Sequence, residues 1–418
     1  MRKITLRIGK GPLRCGALAL CMALVFGSGF GQLGQTALLA ATSEDKDNLA
    51  YKDTADQIAA GEAAKELFTL EQVRDLSRSR GAETLKAKTD LAMAQASKDA
   101  ADMKIYDAWY LMVSLTAMGE AEAAAEAAGA YGKAIVGKDQ AVTSLDDAKA
   151  TLESQMETAI YNSENLFFSY LQMKDSLAAL EKTIDLSREQ WKIEELKVNI
   201  GLSTQTEVKK KALALDDLLD KKQSLINGID MTGRSLMRQM GKDDGLVFRL
   251  DPAFSIEGMK DAYDPDQLAD LAVKNNLNLG VLNRSIDDTK DMLEADMAYS
   301  EKSQIGAKAD SIILTRDNLI KNMRTLARST ATGLASAKTE LALLEKTVEE
   351  KQTAYDLMTL QVSLGLAPKI GLAASELEWI SAKNDLLKAQ QNYYLSLRKA
   401  ALLVKGVAIA SGSGSGAA

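Results

Sequence analysis

Histidine is absent from the 418-residue chain, and both cysteines, Cys15 and Cys21, lie near the N-terminus. Without them there is no imidazole for acid/base work and no thiolate. Zinc or haem ligation through those groups is excluded as well. Carboxylates remain, but none sits in a recognisable catalytic motif, so the expectation is a protein that is not an enzyme and carries no cofactor or metal. Prolines are four (Pro12, Pro252, Pro265 and Pro368), and aromatics make up 5% of residues. So few breakers and rings argue against a β-sandwich. What fills the sequence is Ala, Leu, Lys, Glu, Asp and Gln, the composition of long helices.

Arg2, Lys3, Arg7, Lys10 and Arg14 precede a short apolar run at 15–26, CGALALCMALVF, and a Gly/Gln/Ala stretch ends at Ala40-Ala41. This pattern reads as a secretory signal over 1–41, cleaved near Ala41. The alternative is an uncleaved anchor, which the polar second half, GSGFGQLGQT, makes a poor span. Removal strips five positive charges and no negative ones, taking the formal charge from −7 to −12. So acidic a chain is a poor partner for nucleic acid or for an anionic membrane surface. No later segment reaches the length of uncharged apolar sequence a transmembrane helix needs.

Residues 42–67 are polar and alanine-rich. A helix is expected from 68 to about 102, with Thr69 and Gln72 at capping-box spacing. Asp264-Pro265 makes a second start of the same kind, and Gln72, Asp75 and Leu76 recur in register as Gln267, Asp270 and Leu271. Two heptad stripes follow. Leu177, Leu180, Ile184, Trp191 and Val198 recur, at one constant offset, as Leu341, Leu344, Val348, Tyr355 and Val362. Such stripes bury one face against partner helices. The first helix is expected over about 144–199, roughly 80 Å at 1.5 Å per residue. The offset between the openings exceeds the offset between the stripes, so the first repeat carries extra length, placed between 101 and 144. Within it, IYDAWYLMVSLTAM suits either a strand or a buried helix turn.

Each long helix ends alike, in VNIGLSTQTEV and VSLGLAPKIGL. Gly201 and Gly365 sit where a left-handed cap is needed. Leu202 and Leu366 are placed to fold back on Leu196 and Leu360. New helices follow at once, with Thr204 and Glu207 at capping-box spacing and Pro368 at a first-turn position; the return helices are expected over 208–240 and 370–404. The sequence thus divides into a leader (1–41), an N-terminal segment (42–67), a first helical repeat (68–240), a linker (241–264), a second repeat (265–406) and a flexible Gly/Ser tail (407–418). The fold class is all-α, two repeats of long antiparallel coiled-coil hairpins.

Over about 68–404 the repeat openings, the V-x-x-G-L turns and the duplicated order resemble the TolC-like outer-membrane efflux duct family. That resemblance implies a protomer of a trimeric α-barrel duct, exported across the cytoplasmic membrane to the periplasm or cell envelope and associated with the outer membrane. Its partners would be an extracytoplasmic adaptor and a membrane transporter. Carried over, Val198, Gly201, Leu202, Ser203, Val362, Gly365 and Leu366 would form adaptor-docking tips. Two departures stand out. The family's acidic gate, six and nine positions after the second tip glycine, is replaced by Gly371 and Ala374, with Glu207 and Lys210 in the first repeat. The paired strands of a membrane barrel are not found; Ser311-Ile312-Ile313-Leu314 is the one strand-like stretch in the second repeat. Little or no β-barrel is expected. The other reading is a structural coiled-coil protein of the cell envelope.

Overall fold

The computed structural model describes residues 66–256, 259–294 and 299–409. The expected leader, nearly all of the N-terminal segment and the end of the expected tail lie outside them. Residues from Ala64 onward form one unit.

A short strand, β1 (Glu66–Phe68), leads into α1 (Leu70–Arg80). Thr69 caps α1 as its spacing predicts: its hydroxyl accepts from the Gln72 N–H at 3.3 Å, and Gln72 Oε1 accepts from the Thr69 N–H at 3.0 Å. The expected single helix to 102 is instead broken at Gly81, and α2 runs over Ala82–Met118. A Cβ at Gly81 would lie 2.6 Å from the Ser77 carbonyl oxygen and 2.9 Å from that of Gln239, so the break is a point of close backbone approach. The stretch IYDAWYLMVSLTAM resolves as helix within α2, and most of it is exposed rather than buried.

The next helix, α3 (Ala121–Asn199), has 79 residues, about 118 Å at the α-helical rise, half as long again as the heptads alone suggest. It turns back into α4 (Gln205–Gln239). Then β2 (Phe248–Leu250) pairs in parallel with β1, Leu67 opposite Arg249. The second repeat follows as α5 (Pro265–Lys274), α6 (Leu277–Glu294), α7 (Tyr299–Ser363) and α8 (Lys369–Val404). Asp264 caps α5 with its carboxylate on the Asp266 and Gln267 amides, and Pro265 takes the first helical position. Pro368 stands one place earlier than expected, as the N-cap residue of α8. Ser311–Leu314 lies inside α7. The only strands among the described residues are the two short segments β1 and β2.

Two cores sit where the repeats' short helices meet the long ones. In the first, Phe68, Val73, Phe167, Phe168, Leu236, Met237, Phe248 and Tyr394 are buried together. Phe168 packs edge-on against Phe167, Phe254 and Tyr394 at 5.1–5.5 Å between centroids. Each such pair contributes about 0.5–1.5 kcal/mol beyond its buried area. The second core gathers Leu268, Ala272, Met323, Ala327, Leu334, Tyr393, Leu397 and Leu403. Tyr393 and Tyr394 are neighbours on α8 that serve different cores, so this helix fastens the repeats together. Val407 and Ile409, expected in the flexible tail, are buried with Leu402 against Tyr161, so ordered structure extends at least to Ile409.

Candidate functional site

The seven tip residues lie at the two turns that end the long helices. In the first, the Leu202 N–H donates to the Lys197 carbonyl at 2.8 Å and the Gly201 N–H to that of Val198 at 3.0 Å. In the second, Leu366 N–H reaches Gln361 at 2.8 Å and Gly365 N–H reaches Val362 at 3.0 Å. Both are Schellman caps, which satisfy the last carbonyls of a helix through a left-handed glycine. Gly201 has φ +74° and Gly365 +73°, and a Cβ on either would meet nothing within 4 Å. Glycine is required here by the backbone and not by crowding.

The expected fold-back of the tip leucines does not occur. Leu202 and Leu366 are each 75% exposed, and Leu196 and Leu360 beneath them are 63% and 55% exposed. Ile200 and Leu364 are exposed too. Two turns of a helix offer too little surface to cover these side chains, so each tip is an apolar cap facing outward. Val198 and Val362 close the heptad stripes half-buried behind them.

The tips differ in polar detail. At the first, Glu194 accepts from the Ser203 hydroxyl and pairs with Lys197 at 2.9 Å. The Ser203 hydrogen bond, then the Lys197 bond, holds the Glu194 carboxyl below its usual range. Thr204 caps α4 through the Glu207 amide, but the Glu207 carboxylate turns to Lys210 at 2.7 Å instead of completing a capping box. At the second tip Gly371 lies against Met358, its Cβ position 3.6 Å from the sulfur.

The hairpins are tied together further back. Lys182 pairs with Glu376, Asn384 Nδ2 donates to the Asp175 carbonyl at 3.2 Å, and Gln172 donates to Gln391 at 2.8 Å. Deeper still is a cluster the sequence reading missed. Glu164 on α3 is fully buried and accepts from Arg74 on α1, from Arg398 Nε at 3.1 Å and from the Tyr394 hydroxyl at 3.2 Å. Its neighbour Glu157 pairs with Lys405 at 2.7 Å. These partners come from opposite ends of the described chain, Arg74 to Lys405, so no local spacing reveals them. Among the described residues, no group of three or more Cys, Asp or Glu is gathered to hold a metal ion.

No known sequence family and no curated protein matches this chain in sequence. Solved structures do match in shape. VceC, the outer membrane protein of Vibrio cholerae, aligns over 81% of this chain and 96% of its own, with a TM-score of 0.57 and 10% identity. The MtrE outer membrane channel of Neisseria gonorrhoeae aligns over 81% and 89%, with a TM-score of 0.56 and 10% identity. The CmeC outer membrane channel of Campylobacter jejuni aligns over 81% and 85%, with a TM-score of 0.53 and 10% identity. The chain therefore has the fold shared by these outer-membrane channels. It is the TolC-like fold that the repeat openings and the V-x-x-G-L turns imply.

Proposed function

We propose that this chain is an extracytoplasmic duct component of an efflux or secretion system and not an enzyme. In this reading it works at the outer boundary of the cell envelope after export, assembles with copies of itself as a homotrimer, and docks an adaptor protein linked to a membrane transporter. The observation that carries the reading is the pair of matched, outward-facing apolar turns, at Gly201 and Gly365, on a fold shared with outer-membrane channels. Ile200 with Leu202 on one turn, and Leu364 with Leu366 on the other, are exposed apolar pairs at the hairpin ends, of the kind partner helices cover.

Capture of a crosslinked adaptor from the native cell tests this. The double variant Leu202→Ser/Leu366→Ser should lose capture by at least tenfold while keeping its helicity, because neither side chain is packed. Capture equal to the parent's would make the tips plain turns and return the protein to the structural coiled-coil reading.

A further inference from the structure

The buried Glu164 leaves two arginines half used. Arg74 and Arg398 each meet it through Nε, one on each carboxylate oxygen. A guanidinium carries five N–H donors, and the Nη groups of Arg74 have no acceptor among the described residues. Arg398 Nη2 stands 3.9 Å from Glu157, beyond hydrogen-bond length. Both side chains are partly exposed, Arg74 at 29% and Arg398 at 19%. Their Nη ends therefore open outward while Glu164 holds them from behind. The Tyr394 ring steadies Arg74 further, its centroid 5.7 Å from the guanidinium carbon.

They open into a pocket of about 310 Å³, which is also lined by Glu71, Asp75 and Arg78 of α1 and by Ile160 of α3. Positions 71, 74, 75 and 78 share one face of α1. Opposite charges stand three residues apart on it, Glu71 with Arg74 and Asp75 with Arg78, a spacing that closes ion pairs on a helix. Neither pair closes here. Glu164 draws Arg74 inward, and the exposed Glu71, Asp75 and Arg78 make no ion pair among the described residues. Three guanidinium groups and two carboxylates thus face one small space without satisfying each other. Glu164 behind them brings the negative charges level with the positive ones. A simple anion entering here would gain the arginines and meet two carboxylates at the lip; a simple cation would meet the reverse.

We propose that this pocket binds a compact zwitterion, a free α-amino acid with an apolar side chain. Its carboxylate accepts from the Nη groups of Arg74, Arg398 and Arg78, and its ammonium donates to Glu71 and Asp75. Planar guanidinium groups match a carboxylate. Ile160 gives the ligand's side chain an apolar wall, and the volume lies at the small end of ligand sites. The donors are set in advance, because one buried carboxylate fixes two arginines on separate helices. About 60 Å of α3 separates Ile160 from the first tip, so the proposal is independent of adaptor docking.

Calorimetric titration of the chain purified after export tests it, with leucine and two truncated probes. One is 4-methylpentanoate, which lacks the ammonium; the other is isopentylamine, which lacks the carboxylate. Leucine should bind and should raise the melting temperature as its concentration rises. Each truncated probe should bind at least roughly tenfold more weakly, the weight of one charge-assisted hydrogen bond. Arg78→Ala should weaken leucine by about the same factor with unchanged helicity, because its side chain is exposed and makes no ion pair. In Glu71→Gln/Asp75→Asn, leucine should lose affinity while 4-methylpentanoate gains it, a crossover that damage to the fold does not produce.

Absence of heat and of any melting shift with leucine would overturn the proposal, as would unchanged leucine affinity in Arg78→Ala. Equal binding of leucine, 4-methylpentanoate and inorganic phosphate by the parent would make the pocket a plain anion site and overturn it too. So would a leucine affinity that falls as protein concentration rises, which would give the pocket to a side chain of a second copy.

Discussion

Glu164 shows how much of this fold hangs on single side chains. A carboxylate with no exposure is tolerated because two guanidinium groups and a phenol satisfy it. Breaking such a buried pair by removing one partner costs about 3–5 kcal/mol. Glu164→Ala should therefore lower the denaturant midpoint far more than Glu207→Ala, whose carboxylate pairs with Lys210 at the surface; urea unfolding followed by dichroism compares them. Glu194 adds a pH dependence to one tip only. Its folded pKa is depressed below the ordinary 4.5, so its contribution is full above about pH 4.5 and disappears as pH falls through the lower folded value. The matching positions at the second tip are Met358 and Ala367, which carry no such pair. Amide exchange, corrected for intrinsic rate, should speed up at residues 200–203 relative to 364–367 when pH is taken from about 6 to 3. Equal behaviour of the two turns would show that Glu194 does not order its tip.

At the scale of elements, the described glycines with positive φ all follow helix ends: Gly119, Gly201, Gly241, Gly365 and Gly406. The two that cap the return helices carry a second constraint. A Cβ on Gly241 would lie 2.4 Å from the Arg80 carbonyl oxygen, and one on Gly406 2.2 Å from that of Asn275. Each thus lets the end of a return helix press on the break between the two opening helices of its own repeat. Asn275 and Asn276 reinforce the second contact by donating to the Val404 and Gly406 carbonyls at 2.6 and 2.8 Å. Gly365→Val meets only backbone strain and should cost about 1–3 kcal/mol. Gly406→Val meets strain and a collision with backbone, and should lower the melting temperature further. Thermal melts of the two variants decide; equal shifts would mean that the crowding at Gly406 relaxes freely.

For the whole molecule, the sequence reading and the structure agree where the signal is local or periodic. Caps at Thr69 and Asp264, heptads through Ile184 and Val348, and turns at Gly201 and Gly365 all declare themselves within a few residues. The unequal repeat offsets marked the inserted length, but the sequence left the form of 105–118 open between strand and helix. The deciding fact is the packing of α2 on the start of α3, which half-buries Ile105, Ala108, Met112 and Leu115 along one helical face and is visible only once the two helices are side by side. Glu164 was illegible for the same kind of reason: its partners lie 90, 230 and 234 residues away. Leu202 and Leu366 lie out of reach of the core, as their place just beyond the helix ends implies, but their fold-back on Leu196 and Leu360 fails because a Schellman cap predicts backbone bonds, not whether a neighbour covers the leucine.

The unequal reach of the two opening hairpins has a geometric consequence for any closed ring of these chains. The Arg284–Asp146 salt bridge sets a common height, from which α3 runs about 37 Å back to Ala121 and α6 about 15 Å on to Glu294, the last residue described there. The end remote from the Leu202 and Leu366 turns would therefore be crenellated, each copy adding one taller and one lower merlon. A wall of that outline is open sideways between its merlons. Solute leaving along the axis would meet windows in the rim before it met the mouth, and their number would count the copies in the ring.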